Sequence, residues 1–247
     1  MTNDNMKIVT IGFDADDTLW HTENMFQETQ VRLAEMMCRY ADDKAVQDHL
    51  HETEVQNVKV FGYGIKGFTL SMIETAISMS KGKVTSEEIH EIIAMGKKML
   101  KAPLTLMPHV ETVLANLKHN HPLYLITKGD LLDQGNKVDK SGLSHFFDGV
   151  EIVSEKNQET YAAVFQRHAI DPAHFMMIGN SIPSDVEPVL GLGGYAVHVP
   201  YKSTAVHELF EGTIDSENFF EANSLSDIPR LVRKLNGQFT KKSSIVT

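Results

Sequence analysis

The feature that most constrains the fold is a series of short, nearly continuous apolar runs. The first covers residues 7–13, and similar runs cover residues 123–127, 149–153, 175–178 and 195–199. Continuous rather than alternating hydrophobicity is typical of strands buried on both faces of a parallel sheet. Between most of these runs apolar residues recur at helical spacing, as Val110, Val113, Leu114 and Leu117 do. The pattern therefore predicts an α/β fold with a doubly wound parallel sheet.

Residues 21–103 break this rhythm because they have the patterns of helices. Phe26, Leu33 and Met37 share one helical face, and Thr85 with Glu88 fits a capping box at a helix start. We expect this block to be an inserted helical cap domain that encloses a substrate. Residues 1–20 and 104–247 then form a Rossmann-like core with the doubly wound parallel sheet.

Composition narrows the possible partners. The 247 residues include 23 Lys and Arg against 33 Asp and Glu, a formal net charge of -10. This charge repels phosphate backbones and disfavours a nucleic acid polymer as partner. Cys38 is the single cysteine, which excludes an intrachain disulfide, and no apolar run reaches 18 residues. We expect a cytoplasmic monomer or homodimer that does not interact with membranes.

Polar residues follow the ends of the predicted strands, where ligands bind in open parallel sheets. The first run ends in Asp14, Ala15, Asp16, Asp17 and Thr18, and the second in Thr127, Lys128 and Gly129. Lys156 follows the third run, and Asn180, Ser181, Ser184 and Asp185 follow the fourth.

These segments, in this order, resemble the motifs of the haloacid dehalogenase superfamily of aspartate-nucleophile hydrolases. FDADDTL matches its Asp-x-Asp-x-Thr signature, LITKG its second motif, SEKNQETY its lysine motif and IGNSIPSD its acidic fourth motif. A helical insert between the first two motifs is similar to the superfamily's first type of cap. The resemblance implies a phosphatase that uses Mg²⁺ and acts on a small phosphate ester, such as a sugar phosphate or nucleotide monophosphate.

The residue types suit that chemistry. Asp14 is the expected nucleophile, and because a carboxylate and a phosphate dianion repel each other, a divalent cation must lie between them. Asp16 is the expected acid and base, and Lys156 the expected cation beside the phosphoryl group. We predict substrate contacts from Thr127, Lys128 and Gly129, and metal ligands from Asp14, the Asp16 carbonyl, Asn180 and Asp185.

One position departs from the pattern, because Asn180 stands where the fourth motif usually has an aspartate. An amide oxygen coordinates Mg²⁺ without adding charge, so we expect weaker metal binding than with a carboxylate. Asp185 either compensates as a ligand or caps the following helix. Asp16 argues against a dehalogenase, because a halide leaves without a proton.

Other interpretations remain. A phosphotransferase or mutase would use the same aspartyl-phosphate, and a non-catalytic metabolite sensor would retain the pocket. Residues 62–67 spell G-x-G-x-x-G, but they lie in the insert rather than after the first core strand, which disfavours a dinucleotide site. Lys66 is a candidate substrate contact. Trp20 and His21 either line the substrate entrance or pack the hinge.

Overall fold

A six-stranded parallel sheet forms the centre of the molecule. The computed structural model describes residues 7–202, 210 and 212–237. The strands are β1 (Thr10–Phe13), β2 (Leu123–Lys128), β3 (Gly149–Val153), β4 (Phe175–Gly179), β5 (Tyr195–His198) and β6 (Phe219–Glu221). They pair in parallel in the order β3-β2-β1-β4-β5-β6. The predicted α/β, doubly wound sheet is confirmed.

The apolar runs form strands because both faces of the sheet are covered. The core helices are α5 (Val110–Lys118), α6 (Leu131–Ser141), α7 (Gln158–His168), α8 (Glu187–Gly191) and α9 (Ile228–Leu235). Met176 and Ile178 pack in the cluster that includes α5 and α9, whereas Phe175 and Met177 pack in the cluster that includes α7. Successive residues of β4 therefore enter opposite layers, which explains why the strand is apolar throughout.

Four helices lie between β1 and β2, as the sequence predicts. They are α1 (Glu23–Met37), α2 (Asp43–Phe61), α3 (Ile65–Met79) and α4 (Ser86–Lys101). They share a hydrophobic cluster of their own that includes Leu33, Leu50 and Met72. The predicted capping box of Thr85 and Glu88 is present at the start of α4. The domain limits after residues 20 and 103 remain a prediction.

Two details differ from the expected strands. β1 begins at Thr10 instead of residue 7, and the sheet gains β6, which the sequence pattern does not reveal. β6 has only three residues and no buried one, so its sequence carries little apolar signal. None of the helices described in the structure has the length and apolar character needed to span a bilayer.

Candidate active site

The predicted site residues meet at the carboxyl edge of the sheet. Asp14 follows β1, Thr127 lies at the end of β2, and Asn180 follows β4. Because these strands are parallel neighbours, with β1 between β2 and β4, their carboxyl ends lie side by side. The sheet therefore brings together residues that are more than 160 positions apart in the chain.

Lys156 is the central cation of this edge. Its Nζ lies 2.5 Å from Asp14 Oδ1 and 2.6 Å from Asp185 Oδ1, and all three side chains are buried. Burial raises the pKa of Asp14 to about 7, although Lys156 counteracts the effect. Burial by itself would lower the pKa of Lys156, but the two carboxylates raise it well above its usual range. Lys156 therefore stays charged beside the candidate nucleophile.

Four donors hold the Asp16 carboxylate. Trp20 Nε1 lies 2.6 Å and Thr22 Oγ1 2.9 Å from Oδ1. Gln134 Nε2 lies 2.8 Å and Lys137 Nζ 2.9 Å from Oδ2. Burial opposes ionisation, but Lys137 and these hydrogen bonds outweigh it and lower the pKa of Asp16. In this arrangement Asp16 is an ionised carboxylate.

The same contacts join the site to the cap. Thr22 immediately precedes α1, so the Asp16 carboxylate is bonded to the segment through which the chain enters the helical block. Trp20 is fully buried, which favours hinge packing over a place at the substrate entrance. His21 Nδ1 lies 2.7 Å from the Tyr201 hydroxyl.

The residues of the second motif also form hydrogen bonds within the protein. The buried Thr127 hydroxyl lies 3.2 Å from Gln134 Nε2, and Lys128 Nζ donates to Ser184 Oγ at 2.8 Å. The Gly129 N–H donates to the Val153 carbonyl at 3.0 Å. This bond keeps the Gly129 N–H at the sheet edge, which disfavours it as a phosphoryl donor. Substrate binding by Thr127, Lys128 and Gly129 remains a prediction.

Asn180 lies beside two other candidate metal ligands, Asp14 and the Asp16 carbonyl. The end of its side chain is 3.2 Å from Asp14 Oδ2 and 3.1 Å from the Asp16 carbonyl oxygen. Ligands of octahedral Mg²⁺ at about 2.1 Å are themselves about 3 Å apart, so these spacings fit Mg²⁺. Asp185, in contrast, directs Oδ1 to Lys156 and accepts from the Ser181 N–H through Oδ2. Its role as a direct ligand is disfavoured.

The candidate metal site contains few carboxylate ligands. Among the residues that the structure describes, no group of three or more His, Cys, Asp or Glu side chains is arranged to hold a metal ion. A cation here would therefore depend on carbonyl and amide oxygens in addition to Asp14. Such oxygens suit a hard cation such as Mg²⁺ rather than zinc or copper.

Three polar residues in the first turns of α6 lie at the site although they are not among the predicted site residues. Asp133, Gln134 and Lys137 are polar yet buried, and Gln134 and Lys137 share the helix face that touches Asp16. Their spacing of three residues was the available signal, because residues three apart on a helix are neighbours.

The G-x-G-x-x-G segment contacts the core. Lys66 Nζ lies 2.8 and 2.9 Å from the two Asp130 carboxylate oxygens, and the Tyr63 hydroxyl donates to Glu155 at 2.9 Å. Asp130 follows the second motif directly, and Glu155 precedes Lys156. The segment thus links the helical block α1–α4 to the loops that follow β2 and β3, and Lys66 is engaged by Asp130 instead of pointing to an open pocket.

A cavity of about 370 Å³ lies between residues of the helical block α1–α4 and residues of α6. Its lining includes Met25 and Met99 from the cap and Asp133 and Lys137 from α6. The volume is that of a small-molecule site. Asp14 does not line this cavity, but Lys137 contacts both the cavity and the Asp16 carboxylate.

Comparisons with known proteins identify the family of the chain. The family model of the haloacid dehalogenase-like hydrolases matches residues 8–191. The N-acylneuraminate-9-phosphatase of Rattus norvegicus is 22% identical over 198 residues, with 76% of this chain and 80% of the relative covered.

Solved structures show the same fold. A haloacid dehalogenase-like family hydrolase from Xanthomonas campestris is 37% identical, with a TM-score of 0.86 and 96% of each chain covered. The putative hydrolase YfnB from Bacillus subtilis, described as bound to magnesium, is 15% identical with a TM-score of 0.62, covering 92% of this chain and 99% of YfnB. Other structural neighbours are named as haloacid dehalogenases.

Proposed function

We propose, since the chain belongs to the haloacid dehalogenase-like hydrolases, that it is a magnesium-dependent phosphatase acting on a small phosphorylated metabolite. The observation that carries this proposal is the meeting of Asp14, Lys156 and Asn180 at one sheet edge, with the Asp16 carboxylate beside them. A nucleophile two residues before an acid is what phosphate ester cleavage needs, because an alkoxide leaving group requires a proton.

Asp14 is the nucleophile. One of its oxygens attacks phosphorus while the bond from phosphorus to the ester oxygen breaks, which leaves an aspartyl-phosphate on Asp14. Lys156, only 3% exposed, cannot move its charge into solvent and so neutralises the anions that gather around phosphorus. Asp185 holds Lys156 from the opposite side and thereby fixes the direction of its ammonium group.

Asp16 moves the proton. In the first step it gives a proton to the departing ester oxygen. In the second it takes a proton from the water that attacks phosphorus, while the bond from phosphorus to Asp14 breaks and inorganic phosphate leaves. The ionised form held by Lys137 is the one that the second step needs. To act in the first step, Asp16 must bind a proton, which weakens its attraction to Lys137.

Mg²⁺ would be held by the Asp14 carboxylate, the Asp16 carbonyl and the Asn180 amide oxygen, and it supplies positive charge between nucleophile and phosphate. The neighbour from Bacillus subtilis is described as bound to magnesium, which supports the choice of metal. Thr127, only 1% exposed, is close enough to Gln134 and the Asp16 region to direct its hydroxyl toward a phosphoryl oxygen.

The substrate class is inferred from the relatives. The cavity of about 370 Å³, which reaches the proposed site through Lys137 and is not lined by Asp14, has the volume of a small molecule. The curated relatives are named N-acylneuraminate-9-phosphatase, which favours a phosphorylated sugar over a nucleotide. A cytoplasmic location and a monomeric or homodimeric state remain predictions.

A panel of phosphorylated metabolites with Mg²⁺ tests the proposal, with released inorganic phosphate as the readout. Wild type is compared with Asp14→Asn and with Asp48→Asn, the same chemical change at an exposed site on α2 that pairs with Lys44. We expect release by wild type and Asp48→Asn and none by Asp14→Asn. Release that survives in Asp14→Asn would refute the proposed nucleophile. Phosphate returned to a sugar, without free phosphate, would indicate a mutase, and turnover of no phosphate ester would favour the sensor.

A further inference from the structure

The Asn180 amide is placed among hydrogen-bond acceptors. The side chain is 6% exposed, and its inward atom lies within 3.2 Å of Asp14 Oδ2, the Asp16 carbonyl oxygen and Thr18 Oγ1. An ionised carboxylate and a backbone carbonyl can only accept hydrogen bonds. An amide oxygen turned inward would meet both at contact distance without a proton between them. While Asp14 is ionised, only an inward N–H group or a cation relieves that repulsion.

Both amide orientations have a defined set of partners. With the nitrogen inward, it donates to Thr18 Oγ1 at 3.1 Å, to Asp14 Oδ2 at 3.2 Å and to the Asp16 carbonyl at 3.1 Å. With the oxygen inward, Thr18 Oγ1 donates to it over the same 3.1 Å. The threonine hydroxyl fits either orientation because it both donates and accepts. The two acceptors on Asp14 and Asp16 do not have this freedom.

We propose that Asn180 alternates between two roles: without a cation its NH₂ group bridges Asp14 and the Asp16 carbonyl, and with a cation it turns over and presents its oxygen as a ligand. The inference rests on the proposed magnesium site and deepens it. An aspartate at this position has no donor, so it would leave the loop after β1 with unpaired acceptors until a cation binds. The amide keeps that loop assembled but must give up two hydrogen bonds when the cation enters.

NMR of wild-type protein labelled with ¹⁵N at asparagine tests the switch directly. The Asn180 NH₂ pair is assigned through contacts with the Thr18 methyl group and checked by its disappearance in Asn180→Asp. The NH₂ pair of Asn236, which donates to the Ile8 carbonyl at 3.0 Å far from the site, is the internal control. Spectra and amide exchange rates are recorded with EDTA and then with increasing MgCl₂.

We expect the Asn180 pair to be protected with EDTA and to exchange at least about tenfold faster at saturating Mg²⁺, because it loses its acceptors. The Asn236 pair should not change. If backbone signals of the loop at Asp16 respond to Mg²⁺ while the Asn180 pair keeps its protection, the switch is refuted and the magnesium site survives. If nothing at the site responds to Mg²⁺, both the switch and the proposed magnesium function fail.

Calorimetric titration of Mg²⁺ provides a second, independent measurement. We expect Asn180→Asp to bind Mg²⁺ about tenfold tighter or more, since it gains a charge and has no hydrogen bonds to give up. Its thermal midpoint with EDTA should fall below that of wild type, and Mg²⁺ should raise it more. Equal affinity and equal midpoints in the two proteins would overturn the proposal. Should Asn180→Asp not fold, the exchange experiment on wild type decides alone.

Discussion

Replacing Asp14 by Asn is expected to abolish turnover and yet stabilise the fold at neutral and alkaline pH in the absence of divalent cations. Burial raises the pKa of Asp14 from 3.8 to about 7. A carboxyl whose pKa is higher in the folded than in the unfolded state binds more protons when folded. Its contribution to stability is therefore greatest below about pH 4 and is lost as the pH rises toward 7.

The size of the effect follows from the same pKa values. The gap between 3.8 and about 7, at about 1.36 kcal/mol for each pH unit, corresponds to about 4 kcal/mol of unfolding free energy. Asparagine resembles the neutral, protonated form, and Lys156 keeps its contact with Asp185 in the variant. The variant should therefore match wild type near pH 4 and exceed it by up to about 4 kcal/mol near pH 8.

Urea unfolding with EDTA, at several pH values between about 5 and 8, measures this difference. Trp20 is the single tryptophan and is fully buried, so its fluorescence reports unfolding. Asp48→Asn, the same chemical change at an exposed position, serves as the control for the substitution itself. Two results would refute this reasoning: an Asp14→Asn variant that is less stable than wild type at pH 8, or a stability difference that does not change with pH. Either would show that ionisation of the buried Asp14 does not lower the unfolding free energy.

Three further substitutions test other parts of the structure. Lys137→Met should raise the pKa of Asp16, since Lys137 is the charge that lowers it, and, because Asp16 must carry a proton in the first step, move the alkaline limb of the pH profile of kcat/KM to higher pH; an unmoved limb would contradict this role. Thr85→Ala removes the side chain that caps α4 and should cost about 1 kcal/mol in urea unfolding, whereas unchanged stability would argue against the cap. Gly12→Ala would place a methyl group 2.4 Å from Phe175 Cζ in the centre of the sheet, and a loss of about 1–3 kcal/mol is expected; full stability would show that the sheet can shift there.

Local features of this chain can be predicted from its sequence because interactions between residues close together in the chain determine them. The apolar runs predict five of the six strands, and the Thr85 and Glu88 pair predicts where α4 begins. The four ordered motifs predict the superfamily, which the match over residues 8–191 confirms. The phosphatase branch, the cap type and the domain limits remain predictions.

The contacts of Asp16 could not be predicted from the sequence, because two of its partners come from distant parts of the chain. Gln134 and Lys137 lie 118 and 121 residues away and reach Asp16 only because α6 packs beside the end of β1. The sequence around Asp16 does not indicate that a lysine is its partner. The sequence therefore predicts an acidic residue but not its lowered pKa. The same holds for Lys66, whose partner Asp130 lies 64 residues further along.

The sequence by itself determined the strands, the helical insert and the identity of the residues at the strand ends, since hydrophobic periodicity and residue type are local properties. Only the tertiary structure decided which of those residues touch. It buried Asp14 between Lys156 and Asn180, surrounded Asp16 with donors and turned the Asn180 amide toward two acceptors. The physical reason is that burial and the distances between charges set their protonation and hydrogen bonding, and both exist only once the sheet has brought its carboxyl ends together.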